Sequence, residues 1–135
     1  MAKPNSRGML ANGRKENTKS FAGIPRKVIE HPDFQNLSGN AVRLLVDLAY
    51  QFRGENNGDL QAAWSILKQR GWKSQATVAK ALKSLLDANI ITCTRQGVFL
   101  NPGGRCALYA INWYPIHQCN GKLDVEPTTA PPRKF

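Results

Sequence analysis

One serine and the apolar stripe behind it set the terms for this chain. Ser74 is a good helix N-cap, since its hydroxyl can accept a hydrogen bond from an otherwise unpaired first-turn N–H. Behind it Val78, Ala81, Leu82, Leu85 and Leu86 recur at i, i+3, i+4, i+7 and i+8, the spacing of a single helical face. The opposite face carries Gln75, Ala76, Thr77, Lys80, Lys83 and Ser84. A short helical segment, 64–70, precedes it and ends in Gly71-Trp72-Lys73, while a β-branched run follows at Ile90-Ile91-Thr92. The pattern predicts two helices joined by a tight glycine-containing turn, the second basic on its outer face, followed by strands.

The helix suited to receive that stripe opens at Ser38. Ala41, Leu44, Leu45, Leu48, Ala49 and Phe52 repeat with helical period, and Val42 and Val46 widen the face. A stripe this wide also suits a homodimer seam, but a domain this small needs it for its core. Between these helices Gly54-Glu55-Asn56-Asn57-Gly58-Asp59 reads as a loop, with Asn-Gly supplying a positive φ. It lacks the Lys-Ser/Thr of a phosphate cradle and the spaced carboxylates of a calcium loop. Residues 59–62 suit a single small strand. After the basic helix, Asn89 is a candidate left-handed cap. Segments 90–95 and 106–113 then read as strands, with turn chemistry at Asn101-Pro102-Gly103-Gly104 and Val98-Phe99-Leu100 extending the hairpin or forming an apolar tip. Upstream, Pro25 starts a short helix through Val28 and Ile29, and His31-Pro32 stops it.

The organisation that follows is a flexible basic arm at 1–20, one domain at 21–118, and a proline-rich tail at 119–135 that is expected to be mobile from Pro127 onward. At 135 residues the chain is long enough for one core, and a hydrophobic content of 41% suits a globular protein. No apolar run approaches the ~20 residues of a membrane span, and the first residues lack the apolar centre of a secretion signal. The expected location is cytoplasmic, with no membrane partner.

Charge points to a polyanion. Lys and Arg number 19 against 9 Asp and Glu, a net charge of +10. Between Asp59 and Asp124 the only acid is Asp87, while Lys68, Arg70, Lys73, Lys80, Lys83, Arg95, Arg105 and Lys122 all lie there. A merely solvated basic surface is the competing reading; it loses because the cations coincide with the capped helix. Cys93, Cys106 and Cys119 do not form a secreted disulfide framework, and Cys93 and Cys106 are placed to face each other across two strands. With His117 they would make a zinc set, but the short paired spacing of structural zinc is missing. No catalytic triad, Cys–His pair or carboxylate cluster stands out, so no enzyme activity and no cofactor are expected.

The helix, turn, helix and strand order resembles the winged helix-turn-helix of bacterial regulators, in which a Ser-x-x-Thr-Val-x-x-Ala-Leu pattern opens the recognition helix. Here that pattern runs from Ser74 through Thr77 and Val78 to Ala81 and Leu82. Over 21–118, with Phe34-Gln35-Asn36-Leu37-Ser38, Asn56-Asn57-Gly58-Asp59-Leu60 and Ala107-Leu108-Tyr109-Ala110, the chain is similar to small winged-helix proteins of prophages and integrated elements, some replication-initiator-like and others regulators. It departs at Gln75 and Ala79, where many regulator-type relatives carry basic residues, and its turn is one residue longer.

The resemblance implies an α+β fold of three to four helices with a C-terminal β-hairpin wing, and duplex DNA as partner. Residues 74–88 would enter the major groove. Gln75 would read adenine, Thr77 would meet a phosphate or thymine methyl, and Lys73, Lys80 and Lys83 would neutralise phosphates beside the capped terminus at Ser74. Arg95 and Arg105 would extend the contact from the wing. The alternative is a phage or element adaptor that uses the same fold to bind a host protein or ribonucleoprotein.

Overall fold

Two prolines punctuate the N-terminal segment of the computed structural model, which describes residues 20–98 and 104–135. The expected basic arm, apart from Ser20, and the expected hairpin tip at 99–103 lie outside those residues. Pro25, at φ −59°, starts α1 (Arg26–Ile29), which buries Val28. The chain then turns at His31 and restarts at once as α2 (Pro32–Gln35), where Pro32 occupies the first helical position and His31 Nδ1 accepts the Asp33 N–H at 3.1 Å. His31-Pro32 therefore ends one helix and begins another, because proline is unfavourable inside a helix but well suited to its first turn. That split raises the number of α-helices among the described residues to five, against the three or four expected.

The capped serines organise the rest. Ser38 Oγ accepts the Ala41 N–H at 3.2 Å and opens α3 (Gly39–Gln51). Ser74 does the same for Thr77 at 3.3 Å and opens α5 (Gln75–Asp87). Between them lies α4 (Trp64–Leu67), continued by a tighter turn through Lys68–Arg70. Helices α3 and α5 pack against each other through Ala41, Leu44, Leu45 and Leu48 on one side and Val78, Ala81 and Leu85 on the other. The stripe read on α3 is narrower than expected on one flank: Val46 is exposed, and Asp47 is buried instead. Leu82 and Leu86 lie at the edge of the α5 stripe and are only partly buried.

The end of α5 closes with the Asn89 expected there, at φ 57°. Ile90 N–H reaches Leu85 O at 3.1 Å and Asn89 N–H reaches Leu86 O at 3.0 Å, the paired bonds of a Schellman cap. Strands β1 (Ile91–Arg95) and β2 (Leu108–Ile111) then form an antiparallel pair. Ile91 lies opposite Ile111 and Cys93 opposite Tyr109, but Arg95 lies opposite Leu108, so Thr94 is an extra residue. This bulge turns Thr94 inward, where its hydroxyl donates to Gly58 O at 2.6 Å. Cys93 therefore faces Tyr109 and not Cys106, which is exposed. The small strand expected at 59–62 is a single bridge, in which Leu60 and Tyr109 exchange backbone bonds of 3.2 and 2.9 Å.

Asn57 joins this sheet to the α3–α4 loop. Fully buried, it donates to the carbonyls of Ile111, Tyr114 and Pro115 and accepts the Ile111 N–H at 2.8 Å. Its backbone exchanges bonds with His117. Gly58 follows at φ 118°, a backbone conformation that favours glycine, and a side chain there would also have to displace the end of Leu123.

The tail at 119–135, expected to be mobile from Pro127 onward, is hydrogen-bonded to the domain both before and after that point. Asp124 N–H donates to Thr94 O, Thr128 exchanges bonds with Ile116, and Arg133 N–H donates to Asn112 O. The Arg133 guanidinium donates to Ala88 O and Asn89 O at the end of α5, pairs with Asp33 and stacks on Phe135. The guanidinium holds the Asp33 carboxyl below the usual aspartate range. Among the described residues no helix is long and apolar enough to cross a membrane. Leu85→Ala is expected to cost about 2–5 kcal/mol in a denaturant melt, and Leu82→Ala distinctly less, because only Leu85 is fully enclosed. Equal losses would mean that the stripe does not face α3 as described.

Candidate nucleic-acid interface

The turn between α4 and α5 is held by a carboxylate. Asp47 projects from the flank of α3 and is 6% exposed. Its Oδ2 accepts the Trp72 indole N–H at 2.7 Å, and its Oδ1 accepts from Arg70 Nε at 3.0 Å. A buried carboxylate without such partners would be costly, so these bonds fix Trp72 and Arg70 against α3. Arg43 lies over the Trp72 ring, 4.6 Å from its centroid, and donates to Arg70 O at 3.1 Å. Arg70 in turn stacks on Tyr50 at 4.2 Å. Gly71 takes φ 94° so that the chain can reverse beneath Arg43. None of Asp47, Arg43 or Trp72 was singled out as functional in the sequence. The signal was present, because an acid three residues after Leu44 breaks an otherwise apolar face.

That clamp presents the start of α5 outward. Lys73, Ser74, Gln75, Ala76, Ala79 and Lys80 are all exposed, and Lys73 and Lys80 have no ionic partner among the described residues. At 100° per residue, Ala76, Ala79, Lys80 and Lys83 occupy the centre of the exposed face. Gln75 falls at the edge nearest Leu82, and Thr77, partly buried, falls at the other. Lys83 pairs with Asp87 at 2.5 Å one turn along, but both are well exposed, so this pair is weak and easily exchanged. Six of the eight residues read from the sequence therefore lie on the turn and α5.

The other two are placed differently. Arg95 is partly buried and spends its Nε and Nη2 on Cys106 O, at 3.0 and 2.8 Å, so it ties the two sides of the hairpin together. Arg105 pairs with Asp124 at 2.8 Å. The hairpin continues past the bulge through the Val98–Arg105 bridge, with bonds of 2.9 and 2.8 Å. Between this hairpin, the start of α4 and α5 lies a mainly apolar cavity of about 660 Å³, with Gln75 and Arg105 on its wall. The three cysteines are free, and among the described residues no group of three or more His, Cys, Asp or Glu is placed to hold a metal ion.

Trp72→Phe keeps the ring but removes the indole donor, leaving Asp47 Oδ2 without that partner. We expect a loss of about 1–3 kcal/mol by chemical denaturation. Arg70→Ala should cost less, since that side chain is 39% exposed. A Trp72→Phe variant as stable as the parent would show that the clamp does not hold the turn. No family model, curated protein or solved structure matches the chain.

Proposed function

We propose that the chain is a winged helix-turn-helix domain that binds duplex DNA through α5. The observation that carries this reading is the exposed start of α5, where Lys73, Ser74, Gln75 and Lys80 surround the small Ala76 and Ala79, held by the Asp47–Trp72 clamp. The major groove admits an α-helix and displays a distinguishable pattern of base edges. In this reading the N-terminal half of α5 enters that groove, with Lys73 and Lys80 on flanking phosphates and the open helix N-terminus at Ser74 toward another. Gln75 reads one base edge from the hairpin side of the helix. Arg105 reaches the backbone only by exchanging Asp124 for a phosphate, and Arg95 supports the hairpin rather than the contact. The net charge of +10 supports a polyanionic partner. The resemblance to prophage and integrated-element proteins extends the reading to a regulator or replication-associated factor of such an element.

Replacing Lys73 and Lys80 by Ala is expected to weaken binding to every duplex tested and to flatten the salt dependence by roughly one unit per lost phosphate contact. Unchanged affinity and slope would remove the exposed face of α5 as the docking surface.

Gln75→Ala is expected to relax preference at one base pair by about 1–3 kcal/mol, with little change in melting temperature because the residue is exposed. The comparison uses a duplex selected from a random pool and its single-base variants at fixed salt. A wild type without sequence preference would replace the operator-binding reading with non-specific binding or with the adaptor role.

A further inference from the structure

We propose that the cavity between α5 and the hairpin is a binding site for a planar aromatic monoanion. Its volume of about 660 Å³ lies within the range of small-molecule sites, roughly 300–1,000 Å³. Its walls come from three parts of the chain: Trp64 at the start of α4, Leu82 on α5, and Val98 and Tyr109 on the hairpin. The lining is mostly apolar, and two of its members are aromatic. Such walls favour a flat ring system, which stacks on or packs edge-on to them at little entropic cost.

The polar side chains on its wall are few. Among the described lining residues Arg105 carries the one charge, and it is positive. Asp124 engages it through Nη2, which leaves other N–H groups of the guanidinium fork for a second oxyanion. Gln75 adds an amide that can donate or accept. The Tyr109 hydroxyl has no partner among the described residues, and burial pushes its pKa further above neutrality, so the phenol is a neutral donor. An apolar slot with one cation and two neutral hydrogen-bonding groups suits an aromatic carboxylate or sulfonate. A cationic ligand would face Arg105 and the protein's overall positive charge. The proposal does not rest on α5 meeting DNA, although Gln75 and Arg105 are shared with that reading.

The test titrates the full chain with two fluorescent probes that share their rings and differ in charge, anilinonaphthalene sulfonate and neutral phenylnaphthylamine. One saturable equivalent of each is expected, with the sulfonate bound about tenfold more tightly. Arg105→Gln should abolish that difference, and Leu82→Trp or Ala107→Phe, which fill the cavity, should weaken both probes tenfold or more. If neither filled variant melts cooperatively, amide shifts induced in the wild type decide: shifts centred on the lining residues support the site, and shifts elsewhere overturn it. No saturable binding would overturn the proposal, as would several weak equivalent sites or wild-type affinity in a well-folded filled variant. Binding that appears only after Phe99→Ser and Leu100→Ser would assign the cavity to the chain's own residues and also overturn it.

Discussion

Asp47 is the point on which the exposed start of α5 depends. Its carboxylate lies at the margin of the α3–α5 contact and is satisfied by groups that belong to the connecting turn, Trp72 Nε1 and Arg70 Nε. A buried charge tolerates few alternative arrangements, whereas a leucine at the same place would allow the turn to slide. The direction in which α5 presents Lys73, Ser74 and Gln75 is therefore set by one residue on α3. Arg43, bonded to Arg70 O and lying over Trp72, closes the same arrangement from the outside.

A second polar anchor does for the sheet what Asp47 does for the turn. Asn57 spends both side-chain atoms on backbone groups of the segment that leaves β2, and its own backbone is met by His117. With Thr94 bonded to Gly58 O, the α3–α4 loop is attached to both strands. The two-stranded sheet has little hydrogen bonding of its own, and these side chains supply what a third full strand would have provided. Their near-complete burial makes each bond worth more than its exposed equivalent.

Much of this was legible from local chemistry. Ser38, Ser74 and Asn89 cap the helices where the sequence placed them, and the periodicity of Leu44, Leu45 and Leu48 against Val78, Ala81 and Leu85 found the central packing. What escaped was set by contacts distant in sequence. Asp47 reads as a surface residue until Trp72 is brought to it, and Asn57 reads as an ordinary turn residue until β2 arrives. The pairing expected between Cys93 and Cys106 failed because the register is set by Ile91 opposite Ile111, which puts Cys93 opposite Tyr109 before the bulge at Thr94 is reached. Arg95 and Arg105 look like free cations in a stretch whose one acid between Asp59 and Asp124 is Asp87. Cys106 O and Asp124 occupy them in the fold.

Arg133 carries a consequence for the order of events as the chain is made. It closes the carbonyls of Ala88 and Asn89, residues synthesised 45 and 44 positions earlier, and bridges to Asp33, 100 positions earlier. Helix α5 can form as soon as its own residues emerge, but the Ala88 carbonyl at its C-cap gains the Arg133 donor only when that segment is added. The domain therefore reaches its final hydrogen-bonded state only after Arg133 has been added, when the basic helix is already exposed to solvent. An N-terminal fragment released before that point would carry α5 on a frame still missing one of its braces.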